Sequence, residues 1–217
     1  MAQLGTGEQS VVIKWFGWRS PIHYYLSPTL HGRAMTSWTI ARALEQVSVR
    51  TPEPLFVYSR RRRGFIQENF LITANITPHQ ILRSFLKSEA FDTLKEAAVT
   101  DLALSIARMH SGGIFHRDLT TANFLVTENS EVYIVDLNRA RRWQGLTPRT
   151  RLLDLARLNF EASDPHLEAR LTHRFFEVYG RETAPVSDWE TGYHRYREKL
   201  LGRRRRKARL RSLANGK

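Results

Sequence analysis

The apolar positions in the first third of the chain follow strand and helix periods in turn. Short apolar runs at Val11–Phe16, Leu55–Tyr58 and Phe65–Thr73 indicate β-strands. Between the first two runs, apolar residues recur at helical spacing from Gly32 to Val47, and Thr51-Pro52-Glu53-Pro54 interrupts this pattern. This order of elements predicts a small lobe of strands with one helix.

The rest of the chain has mainly helical periodicity. Thr77-Pro78 is expected to cap a helix that runs through Leu86, and an apolar stripe from Ala97 to His110 indicates a buried helix that Gly112-Gly113 ends. Further helices are predicted at Arg151–Leu158, at Asp164–Gly180, and after the capping box Ser187-Asp188-Trp189-Glu190 into an Arg-rich tail. The sequence therefore predicts an α+β, two-lobe fold: a small lobe over residues 1–76, a helical lobe over 77–201 and a basic tail over 202–217.

A predicted hairpin in the helical half carries the residues of greatest chemical interest. Phe124–Val126 and Val132–Val135 indicate two strands joined by a polar turn. Asn123 precedes the first strand and Asp136 follows the second, so the hairpin brings both side chains to one end. Asp118 lies just upstream in the tetrapeptide H-R-D-L. An Asp, an Asn and a second Asp in this order are typical of the catalytic and metal-binding loops of a protein-kinase-like phosphotransferase.

Phosphoryl transfer explains these residue types. A carboxylate must orient the acceptor hydroxyl and take its proton, and Asp118 is the candidate for that role. Mg²⁺ prefers oxygen ligands and takes only one or two carboxylates from a protein, so Asn123 and Asp136 would be sufficient. The alternative is a chance H-R-D-L tetrapeptide with a capping Asp at a strand end, which the combined spacing disfavours.

Two further positions are candidate contacts to ATP. Lys14 lies on the first strand, which resembles the V-A-I-K strand whose Lys holds the α- and β-phosphates; a snorkelling surface Lys is the alternative. Ala74-Asn75-Ile76 is the expected hinge, where backbone groups would meet the adenine edge. The predicted catalytic residues are Asp118 and Lys14. The predicted nucleotide contacts are Lys14, Asn75, Asn123 and Asp136, and the predicted Mg²⁺ ligands are Asn123 and Asp136.

The composition of the chain narrows the chemical classes of molecule that it is expected to bind. The net charge is +13 and the pI is near 10.7, which favours a polyanionic partner such as nucleic acid, an acidic lipid surface or a phosphorylated glycolipid. The cations cluster at Arg60–Arg63, a predicted hairpin tip closed by Gly64, and at Arg203–Lys207. For both clusters a solvated charge run is the alternative. The chain has no Cys, which excludes disulfides and thiolate metal sites. No apolar stretch approaches the roughly 18 residues of a membrane span, so we expect a cytoplasmic protein.

With these residues in view, the chain resembles the lipopolysaccharide core kinases of Gram-negative bacteria, a protein-kinase-like group that phosphorylates Kdo or heptose sugars. The similarity extends from Val11 to Phe160 and rests on Met109–Leu119, Asn123–Leu125, Val135–Leu137 and Arg151–Leu158. It implies that Lys14 binds phosphate, that Asp118 is the base, that Asn123 and Asp136 hold Mg²⁺, and that Asp154 is a buried anchor of the catalytic loop. It also implies an anionic glycolipid substrate and a peripheral position on the inner membrane.

The chain departs from the kinase pattern around Lys14. Thirteen residues precede it, so we expect a shortened amino-terminal lobe, in which Gly5-Thr6-Gly7 is either a remnant of the Gly-rich loop or a flexible terminus. The helix Glu that pairs with this Lys in kinases is not obvious. Ser37 occupies its expected place, and Glu45, further along the helix, is the candidate.

The catalytic loops also depart from the pattern. Asn138 replaces the Gly of D-F-G, and Thr120 replaces the Lys that often follows the base and contacts the γ-phosphate. Arg139 is a candidate to supply that charge, and the basic segment from Arg139 to Arg149 is expected to be loop-like and to contact the acceptor.

These departures leave two functions open. The first is an ATP- and Mg²⁺-dependent kinase of a lipopolysaccharide inner-core sugar, and the alternative is a weak or inactive kinase-like module that binds anionic membrane or nucleic acid through its Arg clusters. A kinase of proteins or antibiotics is excluded only by the resemblance. We expect a monomer, and specific nucleic-acid readout is disfavoured because the basic clusters have no matching aromatic stacking motif.

Overall fold

The computed structural model describes residues 2–4, 10–17, 32–183 and 188–215. The strands are β1 (Ala2–Leu4), β2 (Val11–Trp15), β3 (Pro54–Arg62), β4 (Phe65–Ala74), β5 (Gln80–Ile81), β6 (Ile114–Phe115), β7 (Phe124–Val126), β8 (Val132–Ile134) and β9 (Arg141–Arg142). The helices are α1 (Arg33–Gln46), α2 (Leu82–Lys87), α3 (Asp92–Ser111), α4 (Pro148–Leu155), α5 (Pro165–Glu182) and α6 (Trp189–Asn215). Mixed strands and helices in this order confirm the predicted α+β class.

The amino-terminal lobe is an antiparallel sheet in the order β1-β2-β4-β3, with α1 in contact with β3 and β4. Because side chains alternate along a strand, one face of the sheet buries Leu71 against Phe16 and Ala34. The predicted hairpin tip is confirmed, since β3 and β4 are joined at Arg63-Gly64, where both residues have positive φ. The Arg run therefore projects at one end of this lobe.

The carboxy-terminal lobe is built around α3, which packs on α5. Leu102, Ile106 and Met109 on α3 are fully buried, as the apolar stripe predicts. A second sheet in the order β5-β7-β8 contains the predicted hairpin, with Phe124 opposite Ile134 and Val126 opposite Val132. The short strands β6 and β9 form a third sheet. The inward side chains of the hairpin, Phe124, Val126, Val132 and Ile134, thus belong to the same buried core as α3.

Several predicted boundaries are wrong. Thr77-Pro78 does not cap α2, because Gln80 and Ile81 first pair with β7 and the helix begins only at Leu82. The Arg139–Arg149 segment is not entirely a loop, because its Arg141 and Arg142 pair with β6. In the final capping box, Ser187 lies outside the described residues, and the carboxylate of Asp188 accepts the hydrogen bond from the Thr191 N–H. The division into lobes and tail at residues 76 and 201 stays a prediction.

A buried polar cluster ties α3, α4 and α5 together beneath the hairpin. His110 Nδ1 and the Tyr179 hydroxyl are 2.8 Å apart, and His110 Nε2 lies 3.5 Å from Asp154 Oδ2. His110 and Asp154 are both fully buried. Burial lowers the pKa of His110, and although Asp154 opposes this shift, Arg151 and His116 reinforce it. His110 is therefore neutral in the folded protein at neutral pH.

The neutral His110 makes stability depend on pH. Because its folded pKa lies below the unfolded value near 6.5, the unfolded chain binds a proton first, and folding is weakened as pH falls through that value. We expect His110→Asn to be less stable than the wild type at pH 8, with the gap closing towards pH 5.5 by at most about 1.4 kcal/mol per pH unit. Urea unfolding at both pH values measures this, and a gap that is constant or widens would contradict it.

A second prediction concerns Gly113, which leads from α3 into β6. Its φ is +75°, and a Cβ there would lie 2.0 Å from the Trp143 carbonyl oxygen. Gly113→Ala should therefore cost at least about 2 kcal/mol of unfolding free energy, because the backbone is strained and the close contact must move. Gly145→Ala is the matched control, since no atom lies within 4 Å of the added Cβ, and its effect should stay within about 0.5 kcal/mol. Equal chemical-denaturation midpoints for the two variants would show the expectation to be wrong.

Candidate active site

Main-chain contacts join the predicted catalytic and metal-binding loops. The Val135 N–H donates to the Asn123 carbonyl at 3.0 Å, and His116 Nε2 lies 3.2 Å from the Val135 carbonyl. The Asn123 side-chain amide donates to the Asp118 carbonyl at 2.8 Å. These bonds bring Asp118, Asn123 and the residue before Asp136 into one unit, as the hairpin prediction requires.

Asp154 holds the catalytic loop from α4. Its two carboxylate oxygens accept the backbone N–H groups of His116 at 2.7 Å and Arg117 at 2.8 Å. Arg117 has φ 68°, a left-handed conformation that this double contact holds in place. Hydrogen bonds to a buried carboxylate are among the stronger ones in proteins. Asp154 therefore anchors the catalytic loop, as the resemblance to the lipopolysaccharide core kinases implied.

Asp136 follows β8 in the left-handed conformation, with φ 63° and ψ 46°. Its Oδ1 forms an ion pair with the Lys14 ammonium and also accepts the Asn138 amide. Burial alone would raise the pKa of Asp136, but the hydrogen bond and charge of Lys14, aided by His116 and Arg33, hold this pKa below its usual value. Asp136 is thus ionised at neutral pH and linked directly to the amino-terminal lobe.

Lys14 pairs with the metal-loop carboxylate rather than with a helix carboxylate. The prediction that Glu45 is the partner of Lys14 is wrong, because Glu45 is exposed and its carboxylate pairs with Arg42 at 2.9 Å. Ser37, at the position expected for the helix acid, lines the same cavity as Lys14. The hydroxyl of Ser37 donates to the Arg33 carbonyl within α1. Direct pairing across the cleft replaces the expected pair with the helix.

The first residue of α1 contacts the metal loop, a feature that the sequence reasoning missed. Arg33 Nη2 lies 3.2 Å from Asn138 Oδ1, and the Arg33 guanidinium stacks 4.9 Å from the centre of the Phe16 ring. The Asn138 amide, at the position of the Gly of D-F-G, therefore bridges Arg33 and Asp136. In the sequence, the only indication of this contact between Arg33 and the metal loop is the Asn at position 138, where kinases have Gly.

Arg139 contacts the predicted base. Its Nη1 lies 3.2 Å from Asp118 Oδ2, and the two side chains are 42% and 30% exposed. The 3₁₀ turn Leu137–Arg139 that carries this Arg follows Asp136 directly. The guanidinium therefore reaches from the metal-binding loop to the catalytic loop.

A cavity of about 340 Å³ lies between the lobes, and the side chains of Lys14 and Asp136 line one part of it. Its walls are lined by Val12 and Lys14 from β2, Ser37 and Ala41 from α1, residues 74–76 of the hinge, and Leu125 and residues 135–137 of the hairpin region. This volume lies within the range of small-ligand sites. Apolar walls lead to a polar end at Lys14 and Asp136, an arrangement that suits a flat base with attached phosphates.

Asn75 lies at this cavity, as predicted for the hinge. Its backbone N–H donates to the Ser10 carbonyl at 3.1 Å, and its side-chain amide donates to the Ser10 hydroxyl at 3.0 Å. Contact with an adenine edge would therefore use other backbone atoms of the hinge. Gly5-Thr6-Gly7, the suggested remnant of the Gly-rich loop, lies outside the described residues.

The predicted Mg²⁺ ligands lie at and near the polar end of the cavity. Asp136 lines the cavity as an ionised carboxylate, whereas Asn123 and Asp118 are not among its lining residues. Asn123 is tied to the strand before Asp136 through the Val135 N–H, and because its amide nitrogen donates to the Asp118 carbonyl, its amide oxygen is the atom available to a metal ion. In the described part of the chain, no three His, Cys, Asp or Glu side chains cluster as a metal site. One carboxylate and one amide match an ion that takes most of its remaining ligands from water and phosphate.

In the described ranges, no helix has the length and apolar character needed to cross a membrane.

Comparison with known proteins gives related curated sequences. A chain from Pseudomonas aeruginosa, named lipopolysaccharide core heptose(I) kinase WaaP, is 28% identical over 159 residues, covering 68% of this chain and 59% of that one. A 3-deoxy-D-manno-octulosonic acid kinase from Vibrio vulnificus is 25% identical over 117 residues, covering 54% of this chain and 48% of its own. The chain thus spans about half to three fifths of the length of these relatives.

Comparison with solved structures supports the fold. The structure described as WaaP in complex with acyl carrier protein superposes with a TM-score of 0.64 at 24% identity, covering 96% of this chain and 83% of that one. This likeness confirms the predicted kinase-like fold class. The profile of the lipopolysaccharide kinase (Kdo/WaaP) family matches residues 21–179. The chain therefore belongs to the lipopolysaccharide kinase (Kdo/WaaP) family, as its motifs predicted.

Proposed function

We propose that this protein is an ATP- and Mg²⁺-dependent kinase that transfers the γ-phosphate to a hydroxyl of a lipopolysaccharide inner-core sugar, Kdo or heptose. Family membership supports the class of reaction, and the names of the curated relatives support the class of acceptor. The observation that carries the proposal is the ion pair between Lys14 and Asp136 at the cavity. Hydrogen bonds join Asn123 to the Asp118 carbonyl and to the Val135 N–H just before Asp136.

The proposed reaction uses one base and one phosphate-binding cation from this chain. Asp118 orients the acceptor hydroxyl and takes its proton while the oxygen attacks the γ-phosphorus and the bond to the bridging oxygen of ADP breaks. Lys14 binds the α- and β-phosphates. When bound, Mg²⁺ held by Asp136 and Asn123 would neutralise charge on the phosphates. The hairpin places Asn123 and Asp136 near one another, and β2 brings Lys14 to Asp136. We infer that the site is assembled before the substrate arrives, and such preorganisation is the main contribution of an enzyme to phosphoryl transfer.

The lipid-linked acceptor also requires access to a membrane surface. Exposed Arg60–Arg63 at the β3–β4 tip adjoin a sheet face that carries Trp15, which is 60% exposed, and Phe56, which is 50% exposed. Trp15 and Tyr58 on this face both pack on Phe70. Aromatic side chains partition to the membrane interface, and each Arg near an anionic surface contributes about 1 kcal/mol. We infer a peripheral position on the cytoplasmic face of the inner membrane, with this tip as the contact.

The kinase proposal predicts that both acidic residues are required for transfer. Asp118→Asn should lower transfer of label from γ-labelled ATP to deep-rough lipopolysaccharide by about 10²–10⁴-fold, because the base is lost. Asp136→Asn should lower it at least as much, because a neutral amide neither pairs with Lys14 nor balances the charge of Mg²⁺. Glu128→Gln, an exposed change in the β7–β8 turn, is the control.

Folding of each variant is checked by circular dichroism. Near-normal transfer by folded Asp118→Asn would refute the assignment of the base. A wild-type protein that binds anionic vesicles but neither binds Mg·ATP nor transfers phosphate would support the non-catalytic kinase-like module instead.

The membrane proposal predicts that removing charge from the hairpin tip alone weakens binding to anionic vesicles. Arg62→Gln with Arg63→Gln should weaken binding to vesicles that contain anionic lipid by about 30-fold at low salt, since two cations of about 1 kcal/mol each are removed. Arg83→Gln with Arg195→Gln removes the same charge from exposed sites on α2 and α6 and is the control. Vesicle sedimentation measures both, and equal loss in the two double variants would mean that net charge, not this tip, drives binding.

A further inference from the structure

The catalytic loop lacks a cation that kinases usually place beside the base. Thr120 stands at the position where a Lys contacts the γ-phosphate. Lys14, which pairs with Asp136, is assigned above to the α- and β-phosphates and so does not supply this cation. A triphosphate whose terminal group carries charge in the transition state needs a cation at this point. Arg139 is a cation whose side chain reaches Asp118, with Nη1 3.2 Å from Oδ2.

The backbone that carries Arg139 is fixed. Leu137 and Asn138 before it are 5% and 6% exposed, and Ala140 after it is fully buried. The Ala140 N–H closes the 3₁₀ turn onto the Leu137 carbonyl at 3.0 Å. Arg139 itself is exposed, so its side chain is free to change partner while its Cα stays beside the metal-binding loop.

Stability does not account for this ion pair. Pairs as exposed as Arg139 and Asp118, at 42% and 30%, contribute only about 0–1 kcal/mol to folding. The planar guanidinium of an Arg has donors that match the spacing of two phosphate oxygens. A cation of this kind, aimed at the base, lies where the acceptor hydroxyl and the γ-phosphate must meet.

We propose that Arg139 is a catalytic residue that binds the γ-phosphate and takes the place of the Lys missing at Thr120. The proposal rests on the kinase function proposed above. During transfer the bond between the acceptor oxygen and the γ-phosphorus forms, the bond to the bridging oxygen breaks, and the hydroxyl proton passes to Asp118. Arg139 donates hydrogen bonds to the γ-phosphate oxygens and keeps its own protons throughout.

Steady-state kinetics of the full chain, with γ-labelled ATP and deep-rough lipopolysaccharide, test the proposal. Arg139→Ala should lower kcat by about 10²–10³-fold, as loss of one transition-state donor does, with little change in KM for the acceptor. Adding Thr120→Lys to Arg139→Ala should restore at least about tenfold of that loss, because the Lys returns a cation to the usual position. Arg195→Ala, an exposed change on α6, is the control and should match the wild type. A kcat for Arg139→Ala within about threefold of the wild type would overturn the proposal.

A second measurement separates contact with phosphate from simple support of Asp118. Calorimetry gives the ratio of Mg·ATP to Mg·ADP affinity, which reports contacts to the γ-phosphate alone. Arg139→Ala should lower this ratio by about fivefold, and by a similar factor in an Asp118→Asn background, since the contact does not act through the carboxylate. A ratio that Arg139→Ala leaves unchanged in the Asp118→Asn background would reduce Arg139 to a positioning residue and overturn the proposal.

The affinity ratio needs no acceptor, so it also distinguishes the two proposals. A wild-type protein that binds Mg·ATP but does not phosphorylate the glycolipid would refute the proposed function, while the ratio would still decide the role of Arg139.

Discussion

The ion pair between Lys14 and Asp136 is the interaction on which the site depends, because it joins a strand of one lobe to the metal-binding loop of the other. Each side chain is about one third exposed, at 33% and 29%. A pair with this exposure adds little to the stability of the fold. Its importance is electrostatic: burial acts to raise the pKa of Asp136, and the hydrogen bond and charge of Lys14 are the main effects that hold this pKa below its usual value. Lys14 thus both contacts the loop that carries Asp136 and keeps the Asp136 carboxylate ionised.

Buried contacts below the cleft make that pair possible. Asp154 fixes the catalytic loop through two backbone N–H groups, and His110 supports Asp154 from α3. The Val135 N–H then ties the strand before Asp136 to Asn123. Each contact is to backbone or is fully buried, so the positions of the site residues are set by the core of the helical lobe and not by the exposed ends of their side chains.

The sequence predicts the site as far as local pattern reaches. The proximity of Asp118, Asn123 and Asp136 is predictable because strand periodicity, a polar turn and the H-R-D-L run are all contained in one short segment; their roles stay a prediction. The partner of Lys14 is not predictable in this way. It depends on how α1 and β2 lie against the metal loop, and helical spacing alone offered only Glu45, which pairs with Arg42. The α2 boundary fails for a similar reason, since pairing of Gln80 and Ile81 with β7 overrides the local cap.

The central claim is that Lys14 and Asp136 act as one unit in binding magnesium-loaded nucleotide. A calorimetric double-mutant cycle with Mg·ATP on wild type, Lys14→Met, Asp136→Asn and the double variant tests it most directly. The account predicts Mg²⁺-dependent binding by the wild type, a loss of about 30-fold or more in each single variant, and no further loss in the double variant. Binding that is independent of Mg²⁺, or single losses that simply add in the double variant, would contradict it.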